Sequence, residues 1–174
     1  GKALAKHPRE KFYIADKFPG YDLSNMPKVQ EIFEEQLKKC RVDYFDFYLF
    51  HNVCEMNIDA YLDPQYGIHD YLMEQKRRGR IRHLGFSFHG TKEVFDEVLA
   101  MHDQVHWDFV QIQLNYSDWQ HASGRNVNAD YLYEQVSSKN IPVVVMEPLL
   151  GGRLSNIPDH IFSRLKERNP EGSV

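Results

Sequence analysis

The chain has 174 residues, 25 of them acidic and 21 basic, for a net charge of −4, with 42% hydrophobic and 26% charged side chains. Those proportions exclude a disordered or low-complexity chain and fit one globular domain with a sizeable core. The acidic balance argues against a nucleic-acid partner, and no apolar run approaches the length of a membrane span.

In chain order, residues 12–15 (Phe-Tyr-Ile-Ala) form a short apolar run that reads as a first strand, with Lys17 just beyond its carboxyl end. Pro27 then opens a helix at its first turn, where a missing N–H costs nothing. Val29, Ile32, Phe33, Leu37 and Cys40 give that helix one apolar face. Residues 44–50 are apolar nearly throughout, as expected of a strand buried on both faces, and deliver His51 at the carboxyl end. After a loop, a helix runs through Ile68, Tyr71, Leu72 and Gln75 and ends at Gly79. Residues 83–86 read as a third strand. Thr91 caps a helix that turns Val94, Val98 and Met101 inward, with Phe95 and Leu99 beside them. Residues 109–114 are a fourth strand, 129–138 a helix, 142–146 a fifth strand and about 161–166 a final helix. The polar stretch His121-Ala-Ser-Gly-Arg-Asn126 is the expected mobile loop.

Five strand-then-helix units, with strands roughly 25 to 40 residues apart, have the spacing of right-handed βαβ crossovers. They fit either a doubly wound sheet or part of a (β/α)8 barrel. A dinucleotide-binding doubly wound domain should show GxGxxG after its first strand, and none is present, which favours the barrel. A whole barrel takes eight units and about 250 residues. The expectation is therefore an α/β chain, residues 1–174 as a single domain, forming a partial (β/α)8 TIM barrel cut at both ends.

Cys40 and Cys54 are too sparse for a disulfide framework and read as reduced thiols of a cytoplasmic protein. Nine histidines are scattered without metal-ligand spacing; His102 and His106 would suit a helix, but a strand starts nearby. The run Lys76-Arg-Arg-Gly-Arg80 reads as a solvated helix end, with cations near a negative C-terminus. A lysine and a histidine delivered to one rim of a parallel sheet are the candidates for chemistry, because loops at that rim carry the active sites of α/β folds. Asp16 neighbours Lys17, but adjacent strand residues point to opposite faces, which makes Asp16 structural.

Five phrases occur in an order that resembles the aldo-keto reductase family. They are Asp16-Lys17, Asp43-Tyr-Phe-Asp-Phe-Tyr-Leu-Phe-His51, Gly79-Arg-Ile-Arg-His-Leu-Gly-Phe-Ser87, Val110-Gln-Ile-Gln-Leu-Asn-Tyr116 and Val143-Val-Val-Met-Glu-Pro-Leu-Leu-Gly-Gly-Arg-Leu154. The variants Gly85-Phe-Ser-Phe-His-Gly90 and Gln113-Leu-Asn-Tyr-Ser-Asp-Trp119 are similar to a bacterial and archaeal subgroup that often carries an iron–sulfur tail. The resemblance implies strands three to seven of the family barrel. It also implies reduction of aldehydes or ketones with NADPH or NADH. In such enzymes a tyrosine donates the proton, a lysine lowers its pKa, an aspartate holds the lysine and a histidine orients the carbonyl. Lys17 and His51 match the lysine and histidine. The tyrosine and aspartate have no match in the chain, so the chain alone is expected to be inactive. Ser87 and Gln111 match the residues that bind the nicotinamide carboxamide, and Met146 stands where an aromatic ring usually stacks. Leu149, Gly151 and Gly152 fall in the loop along the pyrophosphate. Phe88 replaces an asparagine that would normally follow the matching serine. A [4Fe–4S] cluster would need cysteines this chain does not carry, so it could lie only in a C-terminal region outside it. Open barrel edges would favour self-association. Two other functional classes remain open: a non-enzymatic, nicotinamide-sensing regulatory subunit of the same fold, and a barrel aldolase using Lys17 as a Schiff-base nucleophile.

Overall fold

Strands that are apolar on both faces must be covered on both, and intervening helices of about ten residues supply parallel crossovers. The computed structural model describes residues 1–121 and 128–172, with the side chains of residues 120 and 121 left aside. The polar stretch expected to be mobile lies almost wholly outside the described residues. Five strands, β1 (Ala15–Phe18), β2 (Phe45–Val53), β3 (Ile81–Phe88), β4 (Phe109–Gln113) and β5 (Val143–Met146), form one sheet. All neighbours pair in parallel, in the order β1-β2-β3-β4-β5. A doubly wound sheet reverses direction after its first strands; this one never does, which is barrel topology. The sheet is not closed.

The helices are α1 (Val29–Cys40), α2 (Ile58–Leu62), α3 (Ile68–Arg77), α4 (Lys92–Ala100), α5 (His102–Val105), α6 (Asp118–His121), α7 (Ala129–Ser138) and α8 (Asp159–Arg168). Helix α1 buries Val29, Phe33 and Leu37 as its periodicity dictates. It begins two residues after Pro27, which belongs instead to a 3-10 stretch over Leu23–Lys28. Helix α5 does form between His102 and His106, whose rings stand 6.0 Å apart; Trp107 and Asp108 suffice to turn the chain into β4. Helices α2 and α6, of five and four residues, are too short to leave a periodic signal. Thr91 is the N-cap of α4, but its side chain makes no capping bond; its N–H is held by the Glu55 carboxylate.

The first strand starts three residues later than its apolar run suggests. Tyr13 is 81% exposed, and Phe12 lies beneath the Arg9 guanidinium at 4.9 Å rather than in the sheet. The run 12–14 is an entry segment clamped by the buried Asp46. That carboxylate is 2% exposed, accepts from the Ile14 N–H at 2.9 Å and pairs with Arg9 at 2.6 Å. Tyr44 lies between two guanidinium groups, Arg9 at 3.9 Å and Arg82 at 4.0 Å from its ring centroid. This clamp sets the register in which Lys17 faces Leu49 of β2.

The core lies between the sheet and its helices. Phe33 of α1 meets Phe45 and Tyr48 edge-on at 5.7 and 5.1 Å, and Trp107 meets Phe50 and Phe86 at 5.4 and 5.1 Å. The far end of the sheet is not covered in this way. Val144 and Val145 of β5 are 38% and 41% exposed, and Ile161, Phe162 and Leu165 of α8 are exposed as well.

Candidate active site

Lys17 and Asp16 face opposite ways from β1. Asp16 lies on the helix side, where its charge reaches Cys40 of α1 and Tyr48, and burial raises its pKa. Lys17 lies on the other side and stretches across the sheet. Its ammonium donates to Gln111 Oε1 of β4 at 2.6 Å. Among the described residues no carboxylate pairs with that ammonium, and burial lowers its pKa. Lys17 is not beyond the strand but inside it, one residue before its end. Its backbone is fixed from the helix side: Gln36 of α1 donates to Lys17 O at 2.9 Å and accepts from the Tyr48 hydroxyl at 2.6 Å.

His51 likewise sits inside β2, which continues through Val53. The strand runs on because it breaks register between Phe50 and Val53, with Asn52 at φ 58°. Burial first, and then the nearby Lys17 and His89, push the His51 imidazole down to about 4. It is therefore neutral at pH 7, able to accept or donate a hydrogen bond. The Tyr21 ring stands edge-on to it, centroids 5.4 Å apart. Ring resonances of His51 should titrate near pH 4 in an NMR titration. Because the folded state holds fewer protons than the unfolded one between that value and 6.5, stability should fall as pH drops through this window. Titration of His51 at its ordinary value would remove it from the half-buried site described here.

A buried polar network that carries no sequence signal holds this end of the sheet. Tyr61 of α2 donates to His51 O at 2.8 Å and reaches Phe18 O at 3.4 Å. Asn57, also buried, donates to Gly20 O and Asn52 O at 3.1 and 2.9 Å and accepts from the Cys54 N–H at 3.0 Å. A Cβ at Gly20 would overlap the Tyr61 hydroxyl, so glycine is required there. The bonds to Cys54, Asn52 and His51 are local, while those to Gly20 and Phe18 reach back 37 and 43 residues and tie α2 to the end of β1.

Ser87 and Gln111 are partners in register on β3 and β4. Ser87 is fully buried, and its Oγ accepts from the Asn52 N–H at 2.9 Å. Of the two, half-buried Gln111 is the more open to a ligand. Met146 pairs with Gln113 on the half-exposed edge. Phe88 points away from this side, into the core against Phe95 at 4.8 Å, so its apolar ring suits its place. The loop after β5 coils tightly: Glu147, Leu150, Gly151 and Gly152 all have positive φ. Most of its N–H groups bond within the loop, while the Gly151 N–H donates to the Glu147 carboxylate at 2.7 Å. The structure thus joins Lys17, Gln111 and His51, sets Ser87 beside them, and leaves Leu149, Gly151 and Gly152 exposed on the loop. No group of three or more His, Cys, Asp or Glu among the described residues could hold a metal ion.

The chain belongs to the aldo/keto reductase family, whose model matches residues 1–170. Solved structures agree on the fold. An aldo/keto reductase from Brucella melitensis is 20% identical with a TM-score of 0.70, covering 98% of this chain and 59% of its own. An aldo-keto reductase from Bacillus halodurans, solved in its holo form, is 24% identical with a TM-score of 0.66, covering 90% of this chain and 48% of its own. The Bombyx mori aldo-keto reductase in complex with NADP is 21% identical with a TM-score of 0.59, covering 84% of this chain and 45% of its own. The chain thus spans about half to three-fifths of these proteins. No curated protein matches it. Among the described residues no helix is long and apolar enough to cross a membrane.

Proposed function

We propose that this chain forms the lysine- and histidine-bearing part of a carbonyl reductase whose complete barrel uses NADPH or NADH. The observation that carries the reading is the Lys17–Gln111 contact at 2.6 Å beside a neutral His51, in a chain of this family. The residues fit a nicotinamide amide. Gln111 keeps its amide N–H groups free for a carbonyl, and Ser87 keeps its hydroxyl proton. Met146 would supply apolar contact in place of a ring. Leu149, Gly151 and Gly152 would lie along the pyrophosphate, with the Gly151 N–H available once Glu147 turns aside. The bound dinucleotide supplies the hydride equivalent that reduces the carbonyl carbon.

His51 orients the carbonyl by a hydrogen bond from its neutral ring. Lys17 places a positive charge where alkoxide character develops and lowers the pKa of an adjacent phenol. That phenol and its aspartate have no counterpart at the family's positions within this chain. Cys40 and Cys54 cannot by themselves ligate an iron–sulfur cluster, which takes four thiolates, so no step involves one. A reducing, cytoplasmic setting suits these two free thiols. The substrate is a small aldehyde or ketone.

The test is made in a complete, active barrel containing these residues. Lys17→Met should lower kcat by about 10²–10⁴-fold and move the pH–rate profile, since the proton donor then titrates higher. His51→Ala should lower kcat and leave the position of the profile nearly unchanged. If Lys17→Met alters neither rate nor profile, Lys17 takes no part in proton transfer.

A further inference from the structure

We propose that Tyr61 is a positioning residue for the carbonyl-handling pair: through the backbone next to both, it fixes where His51 stands relative to Lys17, an inference that rests on the reductase reading of that pair. His51 falls in a gap of the ladder. Pairing of β1 with β2 ends at Phe18 and Phe50, and pairing of β2 with β3 breaks register after Phe50 and resumes at Val53. His51 therefore has no register partner on either neighbouring strand, and a break of this kind re-aims the side chain it carries. Its carbonyl is held by a side chain instead, the Tyr61 hydroxyl, which donates to His51 O at 2.8 Å. The adjoining Asn52, at φ 58°, is fixed by two more: its N–H donates to Ser87 Oγ at 2.9 Å and its carbonyl accepts from Asn57 at 2.9 Å.

Tyr61 reaches the lysine strand at the same time. Its ring stands edge-on to Phe18 and Phe50, with centroids 6.1 and 5.3 Å from its own. Those two are partners in register, one directly after Lys17 and the other directly before His51. The hydroxyl also lies 3.4 Å from Phe18 O. Phenylalanine would keep the ring packing and lose the hold on His51 O, so the oxygen is the part that serves the site. Burial raises the pKa of this phenol, which keeps it a donor. Gly20 leaves room for it, since a Cβ there would collide with the hydroxyl oxygen. A displacement of His51 by about 1 Å would misalign its hydrogen bond to a carbonyl, an error that can cost about 10²-fold in rate.

The test is Tyr61→Phe in the 174-residue chain, without dinucleotide, beside Trp107→Phe as a control. Trp107 packs on the same Phe50, centroids 5.4 Å apart, but spends its indole N–H on Val98 O at 3.0 Å, so its replacement disturbs packing alone. Freed from its anchor, the His51 ring should open to water and bind its proton about ten-fold more tightly, moving its NMR titration up by about one pH unit. Trp107→Phe should leave that titration in place. An unmoved titration in Tyr61→Phe, or equal movement in both variants, would overturn the inference. If Tyr61→Phe does not fold, the unsubstituted chain decides: the Tyr61 hydroxyl proton should exchange slowly enough to be observed and should shift as His51 is protonated. A hydroxyl proton lost to exchange, or one blind to that protonation, would overturn the inference as surely. In a complete, active barrel, Tyr61→Phe should lower kcat by about ten-fold or more and leave KM for the dinucleotide nearly unchanged; an unchanged kcat would overturn the positioning role. Because the His51 titration needs neither dinucleotide nor turnover, its failure leaves the reductase reading standing, whereas a titration that moves in a barrel inert towards carbonyls overturns that reading instead.

Discussion

Replacing Asp46 by alanine should destabilise the chain by about 3–5 kcal/mol, the usual result of removing one partner of a buried ion pair. For a chain of this size that is a fall in Tm of roughly 6–20 °C. The Asp46 carboxylate is 2% exposed and serves three donors: Arg9 at 2.6 Å, the Ile14 N–H at 2.9 Å and, more weakly, Arg82 at 3.4 Å. Alanine would leave a guanidinium facing a buried wall and a backbone N–H without a partner. Asparagine could still accept from Ile14 and should cost less. Thermal unfolding followed by circular dichroism distinguishes the two variants. A shift of under about 1 kcal/mol for Asp46→Ala would mean that the clamp is solvated and does not fix β1. The effect should also reach the site, because the clamp precedes Lys17 on the same strand.

The 174-residue chain mixed with NADPH and a panel of reactive aldehydes should leave the nicotinamide absorbance unchanged. Loss of a general acid alone lowers rates by about 10²–10⁴-fold, and the family's proton-donating tyrosine is proposed to have no counterpart in this chain. Tyr61 is committed to His51 O and Phe18 O, and burial raises its pKa, so it is a poor stand-in. Tyr48 is bound to Gln36 on the helix side of the sheet. Turnover at the rate of an intact family enzyme would show that another residue, such as the exposed Tyr21 beside His51, donates the proton.

How much of this could be read from the residues depends on the range of the forces involved. The apolar run around Tyr48 and the one around Val110 marked central strands, because a strand covered on both faces has few polar positions. The helix face of Val29, Phe33 and Leu37 was equally legible. The entry into β1 was not. Phe12, Tyr13 and Ile14 look like a strand, but the Ile14 N–H is taken by the Asp46 carboxylate, more than thirty residues away, and the Phe12 carbonyl by Arg9. His51 was expected at a strand end and lies within one, because a register break extends β2 beyond it. The family phrases pointed to Lys17, His51, Ser87 and Gln111. They gave no hint that Lys17 would rest on Gln111, or that Ser87 would bond to backbone. Asn57 and Tyr61 escaped notice altogether, since a buried polar residue looks like any loop residue until its partners fold around it. The open edge at β5 follows from five strands in barrel order. With Val144, Val145 and the α8 face exposed, it is where self-association through open edges is proposed to occur.

The most direct test of the site is an NMR titration of the isotopically labelled 174-residue chain with NADPH. The account predicts perturbations that converge on Gln111, Ser87 and Met146 at one end and on Leu149, Gly151 and Gly152 at the other. The Lys17 ammonium and His51 ring signals should move with the first group. Perturbations confined to another part of the surface, or none at saturating dinucleotide, would contradict the assignment of this rim as the nicotinamide site.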